Sequence, residues 1–348
     1  MEGESDSHET YLSPQIDRRR RHSSVSDDYS VQKTNDDATE CKHVAVQLNY
    51  WEDPFISKFV PSHSEQHKAR RDPEISRGYW ARITGIRSLL TDFIAEAGDK
   101  CQIISLGAGF DTNYWWLKQC RKVKFAKYVE FDFSSVTAKK MRLIRRPGNN
   151  LLTDTFSDKI QENQHCDLQA GDYHLLGTDL RQIEEFKGKF AKAALDPSAP
   201  TIVLAECVLV YMNPDKSAEV LKFVSSFFNV VSFVNYEQVC MEDSFGRVMV
   251  QNLSARGIHL QGLPLSASIV EQKSRFQENG FDFVKLWKMS DVYTNLLPKV
   301  DIERIEKLEM LDEKELLIQL LEHYCITYTF KCNSHLQETY NGLKDLSL

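Results

Sequence analysis

Residues 101–112 read CQIISLGAGFDT, and this stretch decides the fold. A short apolar run from Cys101 to Leu106 is closed by Gly107 and Gly109, which predicts a buried parallel strand that turns into a helix. Helical patterns separate it from similar runs further along the chain, predicted as strands at residues 127–132, 173–179, 200–206, 230–236, 281–288 and 327–332. This alternation predicts an α/β fold with a doubly wound, mostly parallel sheet and helices on both faces.

The composition divides the chain into two parts. Residues 1–40 are polar and carry few apolar side chains, so we expect a disordered N-terminal tail. The arginine run at residues 18–21 within it is interpreted as a solvated charge run rather than a kinase or nuclear-import motif. Residues 41–348 are expected to form one domain, with an N-terminal helical cap and a periodic helix or helix pair inserted at residues 302–324.

Several functional classes are disfavoured by composition. The formal net charge of −7 and the pI of about 5.9 argue against a nucleic-acid partner. No stretch reaches the roughly 20 apolar residues that a membrane span requires, so no membrane association is expected. The eight cysteines show no C-x-x-C pair and the ten histidines no ligand-like cluster, which predicts no metal and a reducing compartment. We expect a cytoplasmic protein, with the nucleus as a second location.

The glycine turn and the strand after it indicate a nucleoside site. In doubly wound folds, ligands bind at the carboxyl ends of the strands, beside the first turn. Thr112 stands where a dinucleotide fingerprint has its third glycine, which disfavours a nicotinamide cofactor. Asp132 ends the next strand, 25 residues after Gly107 (132 − 107), and is assigned to the ribose diol. Glu130, two positions earlier, is the second choice.

Two further acids follow later strands. Asp179 is predicted to accept from an adenine amino group, with Leu180 supplying a backbone amide and an apolar contact; the alternative is that Asp179 caps the next helix. Glu206 is the single carboxylate in the apolar stretch 202–212 (IVLAECVLVYM). A buried acid needs a donor or a cation, so Glu206 is predicted to bind the ammonium of an amino-acid cofactor, with a structural ion pair as the rival.

Cations near the first strand indicate carboxylate binding. Arg82 lies in the mixed cationic and aromatic segment 77–82 (RGYWAR), and its planar fork suits bidentate binding of a carboxylate. Lys42 opens the first apolar stretch after the tail and is a second candidate, positioned to fold over the site.

Four segments together resemble the eukaryotic leucine carboxyl methyltransferases. They are residues 77–82 (RGYWAR), 106–112 (LGAGFDT), 205–212 (AECVLVYM) and 234–239 (VNYEQV), and the resemblance extends from about Cys41 to about Tyr328. It implies a class I S-adenosylmethionine-dependent methyltransferase fold for residues 41–348, with added helices over the site. The methyl donor would be S-adenosyl-L-methionine, converted to S-adenosyl-L-homocysteine.

The resemblance also implies the partner and the site. The methyl acceptor would be the α-carboxylate of the C-terminal leucine of type 2A protein phosphatase catalytic subunits. Arg82 and Tyr211 would lie beside that carboxylate. The residues implied to contact the methyl donor are Lys42, Arg82, Gly107, Asp132, Asp179, Leu180 and Glu206.

The chemistry requires no general base, because an α-carboxylate has a pKa of about 3.5 and is ionised at neutral pH. Three alternatives stay open. The first is an enzyme like the tRNA wybutosine carboxyl methyltransferases, which carry a large appended repeat domain. The second is a non-catalytic phosphatase-binding scaffold, and the third, disfavoured by Thr112, is a nicotinamide dehydrogenase.

Overall fold

The computed structural model describes residues 15–60 and 71–348, with side chains described from residue 27 onward. In chain order the elements are α1 (Gln15–Gln47), α2 (Pro73–Ala97), β1 (Gln102–Leu106), α3 (Asn113–Trp115), β2 (Lys127–Asp132), α4 (Ser134–Ile144), α5 (Asn150–Thr153), β3 (Gln161–Asn163), β4 (Asp167–Ala170), β5 (Tyr173–Gly177), α6 (Ile183–Lys192), β6 (Thr201–Glu206), α7 (Pro214–Phe227), β7 (Val230–Gln238), α8 (Ser244–Ala255), α9 (Ile269–Gln277), β8 (Phe283–Lys288), α10 (Met289–Asp291), α11 (Lys299–Glu306), α12 (Lys314–Glu322), β9 (Tyr324–Cys332) and α13 (Gln337–Asp345). A 3₁₀ turn, Leu209–Tyr211, follows β6.

The strands form one sheet in the order β3-β4-β5-β2-β1-β6-β7-β9-β8. The central strands β5, β2, β1, β6 and β7 are parallel, and the outer pairings are antiparallel. Leu106 at the end of β1 pairs with Phe131 of β2 and Ala205 of β6. The carboxyl ends of these strands therefore meet at one edge, and the predicted doubly wound fold is confirmed.

Helices cover both faces of the sheet. Side chains alternate along each strand, so Ile103 packs into the core beneath α2 and α4, whereas Ile104 packs against α6 and α7. Because both faces are covered, every residue of β1 is buried. This burial explains why the central strands appear in the sequence as continuous apolar runs rather than as alternating patterns.

The predicted strands differ from the observed ones mainly in the residues at which they begin and end. The strand at 127–132 is confirmed, and the two late strands do complete the sheet, although β9 begins at Tyr324. The periodic segment 302–324 is a helix pair, α11 and α12, with Tyr324 already in β9. The hairpin of β3 and β4 was not predicted. All three residues of β3 are exposed, so no apolar pattern marks that strand.

The structure differs from the expected disordered N-terminal tail at residues 15–40. These residues belong to α1, while residues 1–14 lie outside the described part of the chain. The prediction considered apolar burial alone, whereas α1 also makes polar contacts with the rest of the fold. Its carboxylates form ion pairs with cations of the rest of the fold: Asp28 with Arg181 at 2.6 Å, Asp36 with Lys139 at 2.8 Å, and Asp37 with Arg256.

Candidate active site

A cavity of about 780 Å³ lies at the carboxyl ends of β1, β2, β5 and β6. Its walls include α1 and α2 on one side and α8 and α12 on another. Every site residue predicted from the sequence lines this one cavity: Lys42, Arg82, Gly107, Asp132, Asp179, Leu180, Glu206 and Tyr211. The structure thus brings together residues separated by up to 169 positions (211 − 42).

The glycine turn is fastened to Asp132. Gly107 and Gly109 have positive φ values of 60° and 51°, a region that favours glycine. The amide of Gly109 donates to one carboxylate oxygen of Asp132 at 2.7 Å, and the amide of Phe133 donates to the other at 2.7 Å. Burial raises the pKa of Asp132 to about 6, against the lowering effect of these two amides.

Glu130, the second choice for the ribose, lies behind the turn instead of lining the cavity. It is fully buried and pairs with the equally buried Lys140 at 2.5 Å, while the Tyr173 hydroxyl donates to it at 3.0 Å. Lys140 also donates to the backbone carbonyl of Asp111 at 2.9 Å. Burial raises the pKa of Glu130 to about 7, although Lys140 opposes the shift. This pair therefore supports the glycine turn from within the core.

Asp179 faces the cavity but does not cap the following helix. Its carboxylate accepts from the backbone amide of Arg181 at 2.9 Å and from the Arg181 guanidinium. The helix α6 begins at Ile183 with Gln182 at its N-cap, so the capping alternative is wrong. Leu180 beside it is 8% exposed and forms part of the cavity wall.

Glu206 and Arg82, treated separately in the sequence, form an ion pair. The Nε of Arg82 donates to Glu206 at 2.6 Å, so the structural ion pair considered as a rival is present. Burial alone would raise the pKa of Glu206, but Arg82 and Lys42 hold it below its ordinary value. Burial likewise acts to lower the pKa of Arg82, and Glu206 outweighs it. Lys42 lies 3.7 Å from the carboxylate of Asp111.

Aromatic side chains surround Arg82. Its guanidinium carbon lies 4.5 Å from the ring centroid of Tyr236 and 5.6 Å from that of Tyr79. The Tyr236 ring stacks on Tyr324 with 5.3 Å between centroids, and Tyr211 lines the same cavity. Burial raises the pKa of Tyr211, so its hydroxyl is neutral and able to donate at pH 7.

Sequence reasoning missed several residues of this site. Tyr79 and Tyr236 line the cavity. They belong to the motif segments 77–82 and 234–239, but the sequence gives neither tyrosine a role in the site. On α1, the side-chain oxygen of Asn35 accepts from the amide of Phe110 at 2.7 Å. The polar composition of residues 15–40 gives no local signal that this segment packs beside the glycine turn.

The structure describes residues 15–60 and 71–348. Within them, no group of three or more His, Cys, Asp or Glu side chains is arranged to hold a metal ion. Within the same ranges, no helix has the length and apolar character to cross a membrane. All eight cysteines are free thiols.

Comparison with known proteins finds one family over most of the chain. The family model described as "Leucine carboxyl methyltransferase" matches residues 30–225. The chain is 48% identical over 329 residues to "Probable leucine carboxyl methyltransferase 1" of Caenorhabditis briggsae, covering 94% of this chain and 99% of that protein. It is 38% identical over 325 residues to "Leucine carboxyl methyltransferase 1" of Bos taurus, covering 92% and 94%.

In a more distant relative, this chain matches less than half of the other protein's length. The chain is 33% identical over 303 residues to human "tRNA wybutosine-synthesizing protein 4", covering 85% of this chain but 43% of that protein. The matches to the leucine carboxyl methyltransferases are both closer in sequence and nearly full length. This chain belongs to the leucine carboxyl methyltransferase family.

Proposed function

We propose that this protein methylates the α-carboxylate of the C-terminal leucine of type 2A protein phosphatase catalytic subunits. The chain is a methyltransferase, and its methyl donor is S-adenosylmethionine. The observation that carries the proposal is the arrangement around Arg82 within one cavity. Arg82 pairs with Glu206, and its guanidinium also lies against the rings of Tyr236 and Tyr79. Residues suited to an amino-acid nucleoside and residues suited to a second carboxylate therefore share one cavity.

Each cofactor residue has chemistry that suits one part of the methyl donor. Asp132 offers carboxylate oxygens to a ribose diol, and Asp179 with Leu180 suits an adenine ring. Glu206 suits an ammonium group, while Lys42 and Arg82 supply the cations that a carboxylate requires. When bound, S-adenosylmethionine supplies an electrophilic methyl group on a sulfonium.

Catalysis in this proposal is a matter of positioning. The acceptor carboxylate is ionised at neutral pH, so no residue has to remove a proton. Holding one of its oxygens in line for transfer is worth several kcal/mol, up to about 10. The hydrogen bond to Glu206 uses the Nε of Arg82, and we assign its terminal nitrogens, together with the Tyr211 hydroxyl, to hold one acceptor oxygen. The second oxygen stays free to attack.

The experiment is transfer of a labelled methyl group from S-adenosylmethionine to phosphatase catalytic subunits. We expect label on the subunit that ends in leucine and none on a subunit that lacks this final residue. Transfer to the truncated subunit would contradict the proposed acceptor. Label transferred to tRNA instead would favour the tRNA-modifying alternative, and absence of heat in calorimetry with S-adenosylmethionine would favour a scaffold.

Two variants test the assigned roles. Arg82→Ala should reduce transfer at least about 100-fold, since it removes an orienting group and leaves Glu206 buried without its partner. Tyr211→Phe removes a single hydroxyl and should reduce acceptor kcat/KM about tenfold while S-adenosylmethionine binding persists. Tyr29→Phe is the matched control. Tyr29 is 66% exposed, so removing its hydroxyl should leave transfer unchanged. Wild-type turnover by Arg82→Ala would eliminate the mechanism.

A further inference from the structure

The segment 234–239 (VNYEQV) contains residues for which the proposed reaction gives no role. It lies at the end of β7, where side chains alternate between the two faces of the sheet. Tyr236 and Gln238 line the cavity, whereas Glu237 between them is absent from its wall and has no exposed surface. Glu237 therefore cannot touch a substrate, and it carries a carboxylate into the protein interior.

Glu237 forms a buried ion pair with Arg275 of α9. One terminal nitrogen of Arg275 donates to Glu237 at 2.5 Å, and the other donates to the backbone carbonyl of Leu209 at 3.2 Å. Arg275 is 2% exposed, so both bonds form away from solvent. Leu209 is the first residue of the 3₁₀ turn Leu209–Tyr211. The pair thus holds the turn that ends in Tyr211.

The same turn is held at two other points. The amide of Gly262 donates to the carbonyl of Val210 at 2.8 Å, and a Cβ at Gly262 would lie 2.8 Å from the carbonyl oxygen of Leu209. Ahead of the turn, Cys207 has φ of +56° and its amide donates to the backbone carbonyl of Tyr236 at 2.6 Å. A non-glycine residue in this region is strained and persists only when its surroundings determine it. The path from Glu206 to Tyr211 is therefore imposed by packed neighbours.

A buried ion pair is weak evidence for stability, because desolvation offsets much of the attraction between the charges. The pair instead fixes the orientation of the Arg275 guanidinium. With one terminal nitrogen bound to Glu237, the other is placed to donate to the backbone carbonyl of Leu209. α9 is itself fixed on the sheet, since Phe276, the next residue, packs on Phe233 with 5.6 Å between ring centroids. A rigid support of this kind suits a catalytic side chain whose placement has to be accurate.

We propose that Glu237 and Arg275 are positioning residues that place the Tyr211 hydroxyl for the methyl acceptor. The inference rests on the proposed function, in which Tyr211 contacts the acceptor carboxylate. The hydrogen bonds of Arg275 reach Glu237 and Leu209, and Leu209 belongs to the turn that carries Tyr211, whereas Lys42, Asp132 and Asp179 lie on other segments. Loss of the pair should therefore change acceptor kinetics and leave binding of the methyl donor intact.

The test uses full-length Arg275→Lys, Arg275→Met and Glu237→Gln. Lysine keeps the charge but lacks the divergent second arm, and glutamine keeps the volume and an acceptor oxygen, so a folded variant is available even if the methionine variant unfolds. Acceptor kcat/KM at saturating S-adenosylmethionine should fall about tenfold or more. The dissociation constant for S-adenosylmethionine, measured by calorimetry, should change by less than about threefold.

A double-mutant cycle separates positioning from a general structural effect. In a Tyr211→Phe background, Arg275→Lys should cost little further activity, because the hydroxyl it positions is already absent. Lys189→Met is the matched control. It removes a buried ion pair, Lys189 with Asp167 at 2.8 Å, at the opposite edge of the sheet, and it should leave acceptor kcat/KM unchanged.

The contrary outcomes are distinct. Full additivity with Tyr211→Phe, or equal losses of donor and acceptor affinity, would show that the pair only stabilises the fold and would overturn the inference. Unchanged kinetics of Arg275→Lys beside an active wild-type enzyme would overturn it as well. Absence of any transfer by the wild-type enzyme would overturn the proposed function and this inference with it.

Discussion

Gly107 illustrates how a single residue decides whether the cavity can form. Its φ is +60°, and a Cβ built on it would lie 2.5 Å from a methyl carbon of Val208. Val208 lies two residues beyond Glu206, where the neighbouring strand β6 ends, so the glycine turn and the segment after Glu206 touch at this point. Both the backbone conformation and the contact require a residue without a side chain.

We predict that Gly107→Ala lowers the affinity for S-adenosylmethionine at least about tenfold, since Val208 or the turn has to shift. The free energy of unfolding should also fall by about 1–3 kcal/mol. Calorimetry and denaturant unfolding measure the two effects. Gly98→Ala is the matched control: Gly98 has φ of +78° but nothing within 4 Å of its Cβ position, so affinity should be retained. Equal affinity losses at both positions would contradict the contact argument.

The second residue-scale prediction concerns pH and Asp132. Its pKa is raised to about 6 by burial, and the ionised form is the one suited to accept two ribose hydroxyls. Affinity for S-adenosylmethionine should therefore weaken as pH falls through 6, approaching about tenfold per pH unit below it. The raised pKa has the opposite consequence for the ligand-free fold. Asp132 favours folding most below its unfolded pKa and loses that contribution as pH rises toward 6.

Calorimetry between pH 5 and 8 tests this prediction, with Asp132→Asn as the control that should bind weakly but with little pH dependence. Parallel pH profiles for the two proteins would exclude Asp132 as the titrating group. They would instead implicate Glu130, whose pKa is raised by burial to about 7 and which supports the turn through Lys140.

At the scale of elements, residues 28–37 of α1 are joined to the rest of the fold by ion pairs. The ion pairs of Asp28, Asp36 and Asp37 are partly exposed, and exposed pairs typically contribute about 1 kcal/mol or less each. Several such contacts together, with the hydrogen bond from the Phe110 amide to Asn35, hold one helix over one cavity. Its attachment should therefore be local and sensitive to salt, while the core beneath it is not.

We predict that Asp36→Lys with Asp37→Lys increases amide hydrogen exchange of residues 28–40 several-fold, because the reversed charges face Lys139 and Arg256. The Tm should fall by less than about 2 °C. Raising the salt concentration should have a similar but smaller effect on the wild-type chain. Lys187→Glu, which reverses an exposed pair with Glu184 on α6, is the control and should not alter exchange in α1. Unchanged exchange in the double variant would mean that other contacts hold the helix.

At the scale of the whole molecule, the cavity joins parts of the chain that are distant in sequence. Its lining comes from α1 near the N-terminus, from strand ends in the middle, and from α8 and α12 toward the C-terminus. A ligand that occupies this space contacts all of these parts together. Its binding free energy should therefore appear as stability of the whole fold rather than of one element.

We predict that S-adenosylmethionine or S-adenosylhomocysteine at about 100 times its dissociation constant stabilises the fold by about 2.7 kcal/mol. For a chain of this size the Tm should rise by roughly 3–4 °C, measured by scanning calorimetry. NAD is the control and should produce no shift, as Thr112 in the glycine turn leads us to expect. A shift with NAD and none with the methyl donor would contradict the cofactor assignment.

The sequence by itself determined the central parallel strands and five charged residues that line the cavity: Lys42, Arg82, Asp132, Asp179 and Glu206. The apolar runs that end at Gly107, Asp132 and Glu206 are local signals. A parallel strand that is buried on both faces needs a continuous apolar run, whatever its neighbours in the sheet are. The tertiary structure decided what those charges do to one another. Whether Glu206 is free or paired with Arg82, and whether Glu130 faces the cavity or Lys140, depends on distances between residues 10 to 124 positions apart. Local hydrophobic periodicity reveals neither those distances nor the position of the polar helix α1. The reason is that charge pairing between distant segments leaves no regular spacing in the sequence.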